Sequence, residues 1–250
     1  MIPIRDNNPA LHLPIATYVL IGMNVVVWAV VQGFGAAEPM ARSLCQYALI
    51  PGEVLSTFTS TPTIAVGDGW FCQLGGPRSL HTVVTSMFMH GGWLHIAGNL
   101  LFLWVFGDNV EDVMGPGRFA VFYLLCGCAA ALAQILHDPD SLVPMVGASG
   151  AIGGVMGAYA ILFPRARVDL LIFLVVFITV ISVPAIFMLL YWFGLQLVSG
   201  LTAQSGAGGG VAFWAHVGGF VAGLVLAYPC RHPHRVRQHL RQRKAQRMGR

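Results

Sequence analysis

The run LLIFLVVFITVISVPAIFMLLYWFGLQLVSGLTAQSGAGGGVAFWAHVGGFVAGLVLAYPC, residues 170–230, contains no Asp, Glu, Lys or Arg. A helix crosses the hydrocarbon of a bilayer with about 20 apolar residues. The run is therefore read as two crossings, 170–193 and 211–228, joined through the glycine-rich segment SGAGGG at 205–210. Pro184 is expected to kink the first of them. Further charge-poor windows upstream place spans at 14–34, within 79–107, at 119–137 and at 146–163. Composition agrees: 56% of residues are hydrophobic, 10% are charged, and mean hydropathy is +0.70. A soluble domain carries roughly 25% charge, and a disordered chain is poor in apolar residues. Both classes are excluded. The fold class expected is an all-α polytopic membrane protein, a six-helix bundle with a long structured first outer loop.

Charge sets the direction. Eight of the 14 Lys and Arg lie at 231–250. Six crossings put both termini on one side. If that side is the cytoplasm, Arg5, Arg118, Arg165, Arg167 and the tail cations are inside, and only Arg42 and Arg78 are outside. The positive-inside rule favours this orientation. The chain divides into a membrane domain, 1–228, and a basic cytoplasmic tail, 229–250. The tail is read as a membrane-flanking segment attracted to anionic lipid, not as a nucleic-acid surface. Arg5, Asp6 and the length of the first apolar run argue against a cleavable signal peptide. The outer loops are 35–78, 138–145 and 200–210. The first is long for a helix connection and holds Cys45 and Cys72. A disulfide and two free thiols are both compatible with the sequence. Cys126 and Cys128 read as small core residues.

Polar side chains in lipid are expensive and call for a reason. The second span carries His90, His95 and Asn99, the fourth opens on Gly147-Ala148-Ser149-Gly150, and the sixth carries His216. A lone Ser in a membrane helix usually bonds its own backbone, and a lone His or Asn often serves as an interhelical partner. Joint placement says more. The fourth and sixth spans both start outside, so Ser149 and His216 share the outer half. His95 and Asn99, four apart, share a helix face with each other. Gly153 and Gly157 follow Ser149, and Gly219 and Gly223 follow His216, as small-residue stripes on which two membrane helices pack closely. That packing would bring Ser149 Oγ toward His216.

Elimination narrows the chemistry. The one lysine, Lys244, is in the tail, so a Ser–Lys pair within the membrane is excluded. No Asp or Glu lies in the outer half of a span, which removes an aspartyl protease. No HExxH occurs and no metal-type Cys pairing appears. No cofactor is expected. Histidine is the base that remains to activate a serine, giving a dyad and not a triad. His95, Asn99 and the Ser149 backbone N–H are candidate donors to a developing oxyanion.

This pattern resembles the rhomboid family of intramembrane serine proteases. The resemblance rests on HGGWLHIAGN (90–99), GASGAIGGVMGAY (147–159) and AHVGGFVAG (215–223), each on its own span. YALIP (47–51), VEDVMGPGRFAVFYLLCG (110–127, with Glu111 and Arg118 in the second loop) and the opening IRDNNP are similar to the family as well. The resemblance implies a water-filled cavity open to the outside, Ser149 as nucleophile and His216 as general base. It implies His95 and Asn99 at the oxyanion, and His90 and Gly147 at the cavity. Substrates would be transmembrane segments of other membrane proteins, cut near their outer ends, with the enzyme multi-pass in the cell (inner) membrane. Some members carry a Tyr one turn after the serine, against which the base histidine packs. Here Gly153 stands at that position, so Phe213, Trp214 or a residue of the second span is the candidate to hold the His216 ring. Water must reach Ser149, so 142–147, with Pro144 and Gly147, is expected to dip inward. Substrate is expected to pass between the second and fifth spans. The competing readings are a proteolytically inactive rhomboid-like protein that binds and routes membrane helices, and a His-relay transporter, which intramembrane carboxylates would usually accompany.

Overall fold

The fold was obtained as a computed structural model, and the structure describes residues 2–55, 61–67, 69–75, 80–174, 177–203 and 211–248. In chain order the elements are β1 (Ile2–Asp6), α1 (Ile15–Val26, continued by a π turn over Val27–Val31), α2 (Ala37–Tyr47), α3 (Pro51–Leu55), β2 (Thr63–Gly67) and β3 (Trp70–Gln73). They continue as α4 (Thr82–Thr85), α5 (Trp93–Met114), α6 (Pro116–His137), α7 (Ser149–Leu162), β4 (Arg167–Leu174), β5 (Phe177–Pro184), α8 (Ala185–Thr202), α9 (Phe213–Cys230) and α10 (Pro233–Met248).

Among the described residues three helices, α6, α8 and α9, are each long and apolar enough to cross a membrane. The segments Ile15–Val31 and Ser149–Leu162 are apolar but shorter. The helix α5 has 22 residues, with acidic groups in its last turns. At the centre stands α7, buried continuously from Gly150 to Ala160 and packed against α9, α6 and α5. Glycine makes that possible. A Cβ at Gly219 would strike the carbonyl of Gly150, one at Gly223 the carbonyl of Gly154, and one at Gly157 the carbonyl of Phe220. The two backbones therefore touch, as small-residue stripes allow. Around this seam Phe106, Phe119, Phe122, Tyr123, Tyr159 and Phe220 fill the core.

One expected span is corrected. Residues 170–174 and 177–184 are not helical, as half of a helical crossing would be. They form an antiparallel hairpin of β4 and β5, with Leu171 opposite Val180 and Arg167 opposite Pro184. β1 adds to its other edge, Ile2 opposite Leu171 and Asp6 opposite Val168, giving the sheet order β1-β4-β5. Phe177–Pro184 (FITVISVP) is dense in β-branched residues, which favour strand. The residue before a proline avoids helical backbone. Val183 accordingly stays in the strand, and Pro184, at ψ 131, precedes the first turn of α8 and kinks nothing. Hydropathy cannot separate an apolar hairpin from half a helix. The connection 110–118 is also tighter than a loop: Glu111 lies in the last turn of α5, Arg118 in the first turn of α6, and Gly115 alone, at φ +80, separates them.

Between α1 and α5 the chain forms α2, α3 and the β2–β3 hairpin, and Cys45 and Cys72 are joined in a disulfide. The segment SGAGGG falls outside the described residues.

The end of the bundle opposite Ser149 gathers both ends of the chain. The Glu111 carboxylate accepts hydrogen bonds from Ala16 N (2.9 Å), Thr17 N (2.7 Å) and Thr17 Oγ1 (2.8 Å). It caps the N-terminus of α1, where a negative charge is favourable. Asp112 meets His12 Nδ1 at 2.6 Å and His239 Nδ1 at 3.1 Å, and His239 Nε2 reaches Asn8 Oδ1 at 3.0 Å. The basic C-terminal helix α10 is thus docked by a buried histidine.

Asp6 of β1 accepts hydrogen bonds from the Tyr159 hydroxyl and from Asn109 Nδ2. Burial pushes its carboxyl from 3.8 up to about 7, and the Tyr159 bond offsets only part of that rise. A carboxyl whose value rises on folding stabilises the fold at low pH and loses that contribution as pH climbs through the folded value. Thermal unfolding in detergent should therefore shift to lower temperature between pH 5 and pH 8. The Asp6→Asn protein should show a shallower slope. An unchanged slope would contradict the assignment.

Candidate active site

Met145 and Leu49 exchange two backbone hydrogen bonds, Met145 N to Leu49 O at 2.7 Å and Leu49 N to Met145 O at 3.0 Å. Gly147 N donates to Ser86 O at 2.9 Å. This extended stretch enters α7 through Gly147 at φ +133, a conformation that L side chains rarely adopt. The turn sets Ser149 in the first turn of α7, where backbone N–H groups have no partner within the helix.

Across the helix seam, Ser149 Oγ lies 2.7 Å from His216 Nε2. The other ring nitrogen, Nδ1, lies 2.7 Å from Gln196 Oε1 on α8. The Trp192 ring, also on α8, packs on the imidazole with centroids 5.7 Å apart. A Cβ at Gly153 would come within 3.7 Å of that indole. Trp192 thus occupies the side of His216 that a tyrosine at 153 would have served. Trp214, one of the expected candidates, stacks instead on His137, 4.7 Å between centroids.

On α5, His95 Nδ1 accepts a hydrogen bond from Gly91 N at 3.2 Å. That bond leaves the ring proton on Nε2. Nε2 points at Gly147, where a Cβ would lie only 2.8 Å away. Glycine is required there twice over, for its φ and for the imidazole beside it. Asn99, one turn further along α5, is buried, and its Nδ2 has no hydrogen-bond partner among the described residues. His90 is fully buried and packs edge-on behind His95, 5.3 Å between centroids. Its backbone is clamped by the Gln32 side chain, through Gln32 Nε2 to His90 O at 2.7 Å and His90 N to Gln32 Oε1 at 2.8 Å.

A cavity of about 370 Å³ opens over these groups, and His95, Gly147, Ser149 and His216 line it together with apolar residues such as Met87, Ala130 and Val211. His90 and Asn99 are not among the residues that line it. Among the described residues no group of three His, Cys, Asp or Glu could hold a metal ion. A hydroxyl bonded to an imidazole, beside donors that point at the same space, can perform nucleophilic acyl transfer. Gln196 was missed because the fifth span was ended at 193, and Trp192, inside that span, was read as an ordinary apolar position. The available signal was an amide four residues after an aromatic, inside an apolar helix.

The Rhomboid domain family model matches residues 77–233, more than half of the chain. The chain belongs to the rhomboid family. Among its relatives, Rhomboid protease GluP of Bacillus subtilis (strain 168) is 31% identical over 168 residues, covering 66% of this chain and 28% of GluP. Rhomboid protein 1, mitochondrial, of Saccharomyces cerevisiae is 26% identical over 160 residues, 62% of this chain and 39% of that protein. Inactive rhomboid protein 1 of Drosophila melanogaster is 33% identical over 88 residues, 35% of this chain and 6% of its own length. The matches thus span well under half the length of these relatives. Rhomboid proteins are membrane proteins, and by name the family holds both a protease and an inactive member. Ser149, His216, His95, Asn99 and Gln196 all fall inside the rhomboid match.

Proposed function

We propose that this rhomboid protein is an intramembrane serine endopeptidase that cleaves transmembrane segments of membrane proteins near their outer ends. The observation that carries the reading is the 2.7 Å contact between Ser149 Oγ and His216 Nε2 at the wall of a cavity. Ser149 attacks the scissile carbonyl, and His216 takes its proton and returns it to the leaving amine. His95 Nε2–H, Asn99 Nδ2–H and the Ser149 N–H stabilise the oxyanion. Cavity water then hydrolyses the acyl-enzyme. The residues act without a cofactor in this reading.

Six helices, α1 and α5 to α9, cross the inner membrane with both termini in the cytoplasm. Two observations support this direction. The segment that follows β1 and helix α10 meet at one end through Asn8 and His239, and the Cys45–Cys72 disulfide belongs to the same first loop that packs on the Ser149 end. Disulfides persist on the oxidising side. The 14-residue α7 spans only about 21 Å at 1.5 Å per residue, which suits a nucleophile sunk below the surface. A substrate helix must unwind there, and unpaired backbone groups in lipid cost several kcal/mol each, so Gly, Ala and Pro near the cut are favoured. Substrate passes between α5 and α8.

The relative named as inactive keeps a second reading in play, a rhomboid that binds membrane helices without cutting them. A fluorophosphonate probe followed by peptide mapping separates the two. Adduct on Ser149 is the expected result. Absence of an adduct, with binding of membrane helices retained, would replace the protease reading by the binding one.

A further inference from the structure

We propose that Gln196 is the positioning residue of the His216 base, its side-chain carbonyl accepting the Nδ1–H so that the Nε2 lone pair is presented to Ser149. The proposal rests on the Ser149–His216 reading above and deepens it. Two hydrogen bonds to the His216 ring are described, one from each nitrogen, and both measure 2.7 Å. A neutral imidazole carries one ring proton. If Nε2 is to accept from the serine hydroxyl, Nδ1 must carry the proton, and Gln196 Oε1 is the acceptor that faces it. In hydrolases with a third member a carboxylate has this position. Here residues 170–230 contain no acid, and an amide does the same orienting work without bringing a charge into lipid, where it would be costly.

The arrangement is built from one helix. Gln196 and Trp192 are four residues apart on α8 and so share a face. The indole packs on one side of the imidazole while the amide holds Nδ1. The groups that face His216 are Ser149 from α7, Gln196 and Trp192 from α8, and His95 of α5 across the cavity. On the α6 side, His137 is stacked on Trp214. Among the described residues His95 is the titratable group across the cavity from His216.

The test uses the full-length protein in proteoliposomes with a transmembrane reporter. Gln196→Met keeps length and removes the acceptor. It is expected to lower kcat about 10- to 100-fold with KM changed less than about twofold, the scale of losing one orienting hydrogen bond. Gln196→Glu restores the acceptor and adds a negative charge. It is expected to recover most of kcat and to move the acidic limb of the kcat/KM profile upward by about one unit or more, because a carboxylate favours the imidazolium. A purely structural glutamine would show neither the recovery nor the moved limb. If wild type labels at Ser149 and cleaves, yet both variants keep wild-type kcat and pH profile, the positioning role is overturned while the dyad stands. If wild-type protein neither labels nor cleaves, the dyad reading falls and takes this one with it.

Discussion

Replacing Ser149 with alanine is expected to lower kcat for a transmembrane reporter by about 10⁴-fold or more, as removal of a serine nucleophile does elsewhere. Thermal unfolding should hardly move. The hydroxyl stands in the first turn of α7 beside a cavity, and its removal leaves His216 still bonded to Gln196. Small side chains already surround the position, with Ala148 and Gly150 as its neighbours. The variant should also lose the fluorophosphonate adduct. Purified Ser149→Ala protein that cleaves at the wild-type rate would show that the hydroxyl touching His216 is not the nucleophile.

The second large effect belongs to the seam. In Gly219→Ala the new methyl falls on the carbonyl of Gly150, and both partners are helix backbone, which cannot swing aside as a side chain can. The cost is expected at about 3 kcal/mol, the upper end of ordinary overpacking. For a chain of this size that corresponds to a fall of roughly 6–12 °C in Tm. Activity should suffer further, because Gly150 adjoins Ser149 and Gly219 follows His216 by three residues on α9. Pushing the backbones apart separates the reacting groups, and a misplacement of 1 Å costs about 10² in rate. The internal control is Gly22→Ala on α1, where nothing lies within 4 Å of the added methyl. Stability and cleavage should both survive that change. Equal tolerance at 219 and 22 would mean that α7 and α9 do not pack backbone to backbone.

Some features were legible early because they depend on what each residue is and on its spacing. A charge-free run of apolar residues implies burial in lipid. Glycines at intervals of three and four imply close helices. The removal of lysine, carboxylate and zinc-motif alternatives pointed to histidine as the base for Ser149. Other features were not legible, because apolar residues satisfy a strand at a membrane boundary as well as a helix across it. Thus 170–184 read as helix and folds as a hairpin with β1 on its edge. That misplacement left Gln196 outside the expected span, while Trp192, inside it, gave no local sign of its contact with His216.

The sequence by itself determined the membrane class from composition and carried the motifs of the rhomboid resemblance, and spacing and elimination singled out Ser149 and His216 as the candidate pair. Only the tertiary structure decided that Trp192 and Gln196 seat the imidazole, that Glu111 caps a helix nearly one hundred residues away, and that α10 is pinned by His239. Each of these is a contact between segments distant along the chain. Local pattern records what a residue can do, while the partner that satisfies it is chosen by how the helices pack.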